Sequence, residues 1–435
     1  MLFRSSTDKT TPLYSWHLAN RAQLASFCGY HMPLWYSSVK TEHLAVLQAA
    51  GLFDTSHMGL IQVSGKDSRE LLQLTFSRDL RACCRGGDRP LENGRCVYGV
   101  FLDRHGQTID DAIVKQLATD TYLLVVNACM ASVVSEHLRT HQADLRTAID
   151  DWTDRFGKID LQGPASGLIL SRVLDNAEQI FESFPYFTFK GTLFDHDAST
   201  VRLLDSTPLL ISRSGYTGEF GFELFVAAEA TLRVWETIHA AGKDLGCVPC
   251  GLAARDSLRT GAGLPLSHQD IGPWPFANNP WTFALPLNPA HSGFTKEFIG
   301  GQALLELTDA EHTLPFVGLD PRKVGRDEQT AVTDASGRII GSVLTCATDM
   351  GIGWHDNRIL SLTSPGRPPD FKPKGLVCGF VRVKTHLEPG VEIFLQDSKR
   401  RIPVRITEEI RPDRTARKPL KEMLNITFNH HEVSS

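Results

Sequence analysis

LDRHGQTIDDAIVKQLATDTYLLVVN, residues 102–127, reads as a β-hairpin that carries an acidic pair into apolar surroundings. Thr108–Lys115 alternates with period two, as does Thr121–Ala128, and the short polar stretch Gln116–Asp120 separates them. Side chains two apart share a face of a strand. Ile109, Asp111 and Ile113 therefore lie on one face, with Thr108, Asp110, Ala112 and Val114 on the other. On the second strand Asn127 falls with Leu123 and Val125. A carboxylate among isoleucines is unfavourable unless it is paired or used, which makes Asp111 the first candidate for chemistry. Periodicity leaves a second reading open, in which Asp110 and Asp111 are turn or strand-edge acids facing water.

Around this hairpin, Ser64–Leu74 predicts an amphipathic helix, Cys96–Phe101 a strand and Met130–Gln142 a helix. Upstream, Thr11–Tyr36 reads as a short helix followed by an aromatic-rich strand and turn. Glu42–Ala50 reads as a helix that Gly51 ends at its C-cap. In GLFDTSHMG (51–59), Asp54, Ser56 and His57 crowd too closely along the chain to form a nucleophile–base relay, so a loop is expected. Downstream, Leu161-Gln162-Gly163-Pro164 marks a turn into a helix, since Pro164 suits a first helical turn.

Leu209–Phe225, LLISRSGYTGEFGFELF, places two strands about a bend in which Gly215, Gly218 and Gly221 alternate with larger residues. Glycine there permits close backbone approach or positive φ. Glu223 is a second acid in apolar company, with an ordinary hairpin carrying surface acids as the competing reading. Gly251–Ala262 predicts a helix on which Arg255 and Arg259 share a face, either as carboxylate partners or as parts of a salt-bridged surface. Residues 272–289 read as a long loop with Trp274 and Trp281 as packing aromatics. From Leu307 to about Thr407 strands dominate, with a Pro-rich loop over 363–373. The basic run 399–421 is interrupted by acids and predicts a solvated face first, a docking patch second.

A chain of 435 residues with 42% hydrophobic and 22% charged residues is an ordinary globular protein of more than one domain. A net charge of −5 and a pI near 6.3 argue against nucleic acid or an anionic membrane as the main partner. No apolar run is long enough to span a bilayer, and the polar opening MLFRSSTDKT is unlike a signal peptide. The expected location is the cytoplasm. Nine scattered cysteines, an odd number, fit reduced buried thiols better than a disulfide framework. Cys247-Val-Pro-Cys250 lacks the second pair a zinc site needs, the glycine bend lacks a dinucleotide or Walker pattern, and no metal site is expected.

Nine stretches, taken in order, resemble the aminomethyltransferase family, the T-protein of the glycine cleavage system and its folate-dependent relatives. They are TPLY (11–14), GYHMPLWY (29–36), GLFDTSHMG (51–59), IDDAIV (109–114), VVNA (125–128), LQGP (161–164), SGYTGEFGFE (214–223), GLAARDSLR (251–259) and FIGGQAL (298–304). The resemblance implies an α+β fold, a three-lobed cloverleaf of mixed domains around a central folate channel with an all-β C-terminal domain. Residues 1–51 and 145–275 would form a discontinuous folate-binding domain, 52–144 an inserted ferredoxin-like domain carrying the hairpin, 276–306 a connection and 307–425 a β-barrel.

By the same resemblance Asp111 matches the catalytic acid. Tyr98, Asp111, Ile113 and Asn127 match the folate pocket, Tyr216 the tyrosine of the glycine bend and Glu223 the acid that binds the pterin. Arg255 matches the arginine of the folate tail and Trp281 a pocket tryptophan. The implied activity is transfer of an aminomethyl carbon from lipoylated H-protein to tetrahydrofolate with release of ammonia, without a metal. A folate-dependent demethylase of a methylated sulfur, oxygen or nitrogen compound is the alternative within the family, and a non-catalytic folate-binding protein the alternative outside enzymes. The chain departs from the family at Leu47, Gly261, Leu266-Ser267-His268, TCATDMGIG (345–353), Glu388 and RPDRTARKPL (411–420). These departures fall on the donor and docking sides, where the basic run would meet an acidic partner such as H-protein.

Overall fold

The computed structural model describes residues 8–84, 89–193, 201–325 and 330–424; residues 1–7, on which the expectation of a chain without a signal peptide partly rests, lie outside them. The chain opens with α1 (Tyr14–Ala19), the hairpin β1 (Gln23–Phe27) and β2 (Tyr30–Trp35), α2 (Val39–Gln48) and β3 (Ala50–Asp54). α2 starts at Val39, ahead of the expected Glu42, because the Ser38 hydroxyl caps it by accepting the Thr41 N–H at 3.1 Å. It ends before Ala50. Gly51 is therefore not a helix cap but part of β3, where space demands glycine: a Cβ would lie 2.5 Å from Val46 and 2.8 Å from Cys250 Sγ.

The chain then builds a second unit from β4 (Gly59–Ser64), α3 (Ser68–Thr75), β5 (Cys96–Leu102), β6 (Thr108–Ala118), β7 (Thr121–Val126), α4 (Ala131–Thr140) and β8 (Ala148–Asp151). Its strands form an antiparallel sheet in the order β5-β6-β7-β4-β8. α3 begins later than the expected Ser64 because that residue ends β4 and Gly65 turns the chain at φ +111°. Both faces of the sheet are covered. Ala112, Val114, Leu124 and Val126 pack with Leu71, Leu72, Val134 and Leu138 of α3 and α4. On the opposite face Leu60, Leu123, Val125 and Ile113 meet Trp152, Phe156, Phe189, Leu210 and Phe225 of the first unit. An acid on either face of β6 thus lies against apolar cover.

β9 (Phe156–Gln162) returns antiparallel beside β3. α5 (Ser166–Ser171), α6 (Ala177–Phe181), β10 (Phe189–Gly191), β11 (Val201–Arg202), β12 (Pro208–Ser212), β13 (Gly221–Ala227), α7 (Thr231–Gly242), β14 (Cys247–Cys250) and α8 (Leu252–Gly261) complete the first unit. Its sheet runs β10-β12-β13-β9-β3-β14, with β11 on β12 and β14 parallel to β3. Two separated pieces of chain therefore build one sheet.

After α9 (Gly301–Leu305) come β15 (His312–Gly318), β16 (Ala331–Thr333), β17 (Ile339–Asp349), β18 (Ile352–His355), β19 (Arg358–Ser361), β20 (Leu376–Val383), β21 (Glu392–Gln396) and β22 (Arg401–Ile406). Six of them close a barrel in the order β15-β20-β17-β16-β21-β22, and β18–β19 form a separate hairpin. The three units share an apolar cluster in which Val100 and Leu102 of β5 meet Phe276, Trp281 and Phe298 of the connection and Val317, Phe380 and Ile410 of the barrel side. The basic run 399–421 is not one solvated face. Arg411 is fully buried, its Nη1 2.6 Å from Asp349 and its Nε 3.1 Å from Glu219, and two carboxylates compensate the desolvated guanidinium. Among the described residues no helix is long and apolar enough to cross a membrane.

Candidate active site

The hairpin acids sit differently from a water-facing pair. Asp110 is fully buried and Asp111 half-buried. One amide ties them together: Asn127 Nδ2 donates to Asp110 Oδ1 at 2.8 Å and to Asp111 Oδ1 at 2.5 Å, while its backbone N–H reaches Asp110 Oδ2 at 2.9 Å. Tyr98, on the neighbouring strand, donates to Asp111 Oδ2 at 2.8 Å. Ile113 stands opposite Tyr98 in the ladder. Burial, and then the charge of Asp111, push the Asp110 carboxyl up to about 7. Burial also raises Asp111, against the hydrogen bonds from Tyr98 and Asn127 that favour its charged form. Two adjacent carboxylates so enclosed hold one proton between them more readily than none.

Across from them, β9 presents Lys158, Asp160 and Gln162 on one face by strand alternation, all three buried. Lys158 Nζ lies 2.5 Å from Asp160 Oδ1 and 2.6 Å from Glu223 Oε1. The Ser214 hydroxyl donates to the other Glu223 oxygen, and Arg255 Nη1 donates to Asp160 Oδ2 at 2.8 Å. Burial works most strongly against the Glu223 carboxylate, but the charges of Lys158 and Lys115 together with the hydrogen bond from Lys158 hold it below the ordinary range. Asp160 is lowered in the same way by Lys158 and Arg255 against its burial. Arg255 and Arg259 are therefore not a surface salt-bridge pair. Arg259 turns to Asp270 and Asp256, and Arg255 stacks 4.8 Å over the Tyr216 ring.

Tyr216 joins the two groups. It feels the charges of Asp111, Asp270, Arg255 and Arg259, and its hydroxyl donates to Pro265 O. Tyr98 packs 5.7 Å from Phe283, and Phe283 and Trp281 help line a cleft of about 560 Å³ that Tyr186, Phe380, Arg414 and Arg417 also border. Trp281 is held by its indole N–H, which donates to Gly263 O at 2.8 Å. Gly215 and Gly218 line the cleft as well, yet their lack of side chains answers a protein neighbour first: a Cβ on Gly215 would lie 2.0 Å from Gln162 and one on Gly218 2.6 Å from Ala262. Contacts thus link Tyr98, Asp111 and Asn127, with Ile113 beside them, on one side and Glu223, Arg255 and Tyr216, through Lys158 and Asp160, on the other. Tyr216 feels the charge of Asp111, and of the eight expected residues Trp281 is the one that lines the cleft.

Sequence reasoning missed Asp110 as the more buried acid, and it missed Lys158 and Asp160 altogether. The alternation FGKIDLQ (156–162) carries the missing signal, because three polar residues at period two on a strand between apolar neighbours need a common partner. Asp54 is no nucleophile orienter but a fully satisfied structural acid, bonded to His17 at 2.9 Å and Thr11 at 2.6 Å. Several departures from the family pattern meet in one place. A Cβ on Gly261 would lie 1.8 Å from Asp349 Oδ2, and one on Gly351 would lie 2.1 Å from Leu47. Asp349 fills the space beside Gly261 and pairs with Arg411 at 2.6 Å and His43 at 2.9 Å.

The model of the GCVT N-terminal domain matches residues 13–275. The aminomethyltransferase of Caldanaerobacter subterraneus subsp. tengcongensis is 33% identical over 341 residues, 78% of this chain and 83% of that protein. The aminomethyltransferase of Streptomyces coelicolor is 34% identical over 364 residues, 80% of this chain and 88% of its own. The crystal structure of the glycine cleavage system aminomethyltransferase T from Bartonella henselae superposes with a TM-score of 0.74 at 26% identity, covering 94% of this chain and 99% of that one. Domain match, near-complete coverage and shared three-unit architecture agree: this chain belongs to the aminomethyltransferase family.

Proposed function

We propose that the protein is an aminomethyltransferase of the glycine cleavage type, passing the aminomethyl carbon from the lipoyl arm of H-protein to tetrahydrofolate as ammonia leaves. The observation that carries this reading is the position of Asp111. It is held by Tyr98 and Asn127 in the same enclosed region as the Lys158–Asp160–Glu223–Arg255 set, beside an aromatic-lined cleft. The residues present suit a folate. Tyr186, Trp281 and Phe283 offer flat apolar walls, and Arg414 and Arg417 give the rim a positive charge for an anionic tail. Tyr98, Asp111, Ile113, Asn127, Tyr216, Glu223 and Trp281 would hold the pteridine end, Glu223 accepting its adjacent N–H groups. Arg255 would serve the tail with the guanidinium N–H groups that Asp160 does not take.

The folate supplies the nitrogen that captures the one-carbon unit. The chain supplies the rest. Asp111 orients that nitrogen, stabilises positive charge developing at the transferred carbon and accepts a proton. The apolar cover on both faces of β6 limits the access of bulk water to the reacting groups. The nine cysteines, odd in number and scattered along the sequence, fit a reducing, cytoplasmic setting.

Purified protein, H-protein carrying the aminomethyl group and tetrahydrofolate test the proposal. Methylenetetrahydrofolate and ammonia in equal amounts are expected. Methyltetrahydrofolate formed from a methylated sulfur, oxygen or nitrogen compound, with no reaction of H-protein, would replace this reading by the demethylase. Folate binding without turnover of any donor would leave a non-catalytic binder.

A further inference from the structure

Asp110 is fully buried, yet one of its neighbours reaches water. The Ser267 hydroxyl donates to Asp110 Oδ1 at 2.9 Å, and the Nε2 of His268 lies 3.9 Å from the same oxygen, with 47% of the His268 side chain exposed. His268 is also held in the left-handed region, φ 61°, a conformation that seldom suits a side-chain-bearing residue. The ionisable groups that face Asp110 are Asp111 from its own strand, Tyr98 from β5, Cys28 from the β1–β2 turn and His268 from the loop after α8. Burial and nearby negative charge raise the Tyr98 hydroxyl and the Cys28 thiol away from neutrality. Imidazole is the side chain whose ordinary titration lies nearest to it.

We propose that His268, steadied through Ser267, is the port by which the buried Asp110 exchanges its proton with solvent during the transfer reaction. The inference rests on the function proposed above and assigns His268 a positioning role, acting through Asp110 and not touching substrate. The proton on Asp110 Oδ1 passes to Nε2 of neutral His268 after the gap closes by about 1 Å to hydrogen-bond length. The imidazolium then releases its Nδ1 proton to water, so over the two steps the Asp110 O–H and the His268 Nδ1–H bonds break while an Nε2–H bond and an O–H bond of hydronium form, and neutral imidazole is left as the Nε2–H tautomer. Asn127 meanwhile keeps both carboxyl groups in place, because its amide serves them together.

The test uses the full chain carrying aspartate labelled with ¹³C at the side-chain carboxyl. Wild type, Asp110→Asn, His268→Gln and Ser267→Ala are titrated by NMR without substrate and then assayed with and without added imidazole. A carboxyl signal titrating near neutrality is expected to vanish in Asp110→Asn and to move by about 0.5 pH unit in His268→Gln, which removes the imidazole that exchanges the proton with Asp110. Turnover in His268→Gln should fall by about 10-fold, with KM for tetrahydrofolate unchanged, and imidazole in solution should restore it. Ser267→Ala should move the same carboxyl signal and keep the imidazole response. An unchanged carboxyl midpoint in His268→Gln together with no rescue would overturn the proposal. If wild type makes no methylenetetrahydrofolate while the midpoint still moves, the functional reading fails and the coupling of His268 to Asp110 stands.

Discussion

Asn127 is the residue that joins the acid pair, since a single side-chain amide donates to both carboxyl groups and its own backbone N–H donates again to Asp110. Asp111→Asn keeps the shape and removes the charge. Its expected effect is a turnover loss of about 10²–10³-fold with tetrahydrofolate binding retained, checked by stopped-flow turnover and by titration calorimetry. Asp110 makes a prediction about stability. Its folded carboxyl keeps its proton up to about pH 7, whereas an unfolded aspartate releases it near the ordinary value of about 3.9. Between those limits the folded state binds the extra proton, so this contribution is complete at low pH and is lost as pH rises through 7. Urea melts of wild type should therefore lose stability between pH 5 and pH 7.5 relative to Asp110→Asn, at no more than about 1.4 kcal/mol per pH unit.

At the scale of elements, strand alternation in β6 and β7 showed the hairpin and placed its two acids on opposite faces. It could not show that both faces are covered, because the second cover comes from Trp152, Phe189 and Phe225, remote in sequence. The same limit hid Lys158 and Asp160: FGKIDLQ reads as a half-exposed strand until β13 and α8 bring Glu223 and Arg255 to its polar face. The end of α2 was misplaced for a local reason. A glycine after a helix resembles a cap, and it takes the folded positions of Val46 on α2 and of the Cys250 thiol on β14 to reveal that Gly51 is there for clearance. β9 itself carries a testable expectation. Lys158→Met leaves Asp160 and Glu223 as buried charges without their shared cation, so stability should drop by about 3–5 kcal/mol. Denaturant unfolding measures that drop, and replacing Glu223 by Gln in the same chain should recover part of it.

At the scale of the molecule, the units are fastened by charge as well as by the Trp281 cluster. Arg411 reaches Asp349 at the end of β17, Glu219 in the glycine bend and, through Asp349, His43 of α2 and Ser257 of α8. Arg411→Met strands two buried carboxylates between barrel and first unit. Calorimetry should then show stability lower by about 3–5 kcal/mol and the single transition splitting, with the barrel melting apart from the rest. The discontinuous first unit has a further consequence, for the order in which a growing polypeptide can acquire structure. Emerging from the ribosome amino end first, the inserted unit has every strand to hand once Asp151 is out. β3, made long before, finds its neighbours only when Phe156–Gln162 and then Cys247–Cys250 have followed. Throughout that interval β3 waits with open edges while a later segment folds ahead of it, and this is the stage at which a nascent chain most needs shelter from its neighbours.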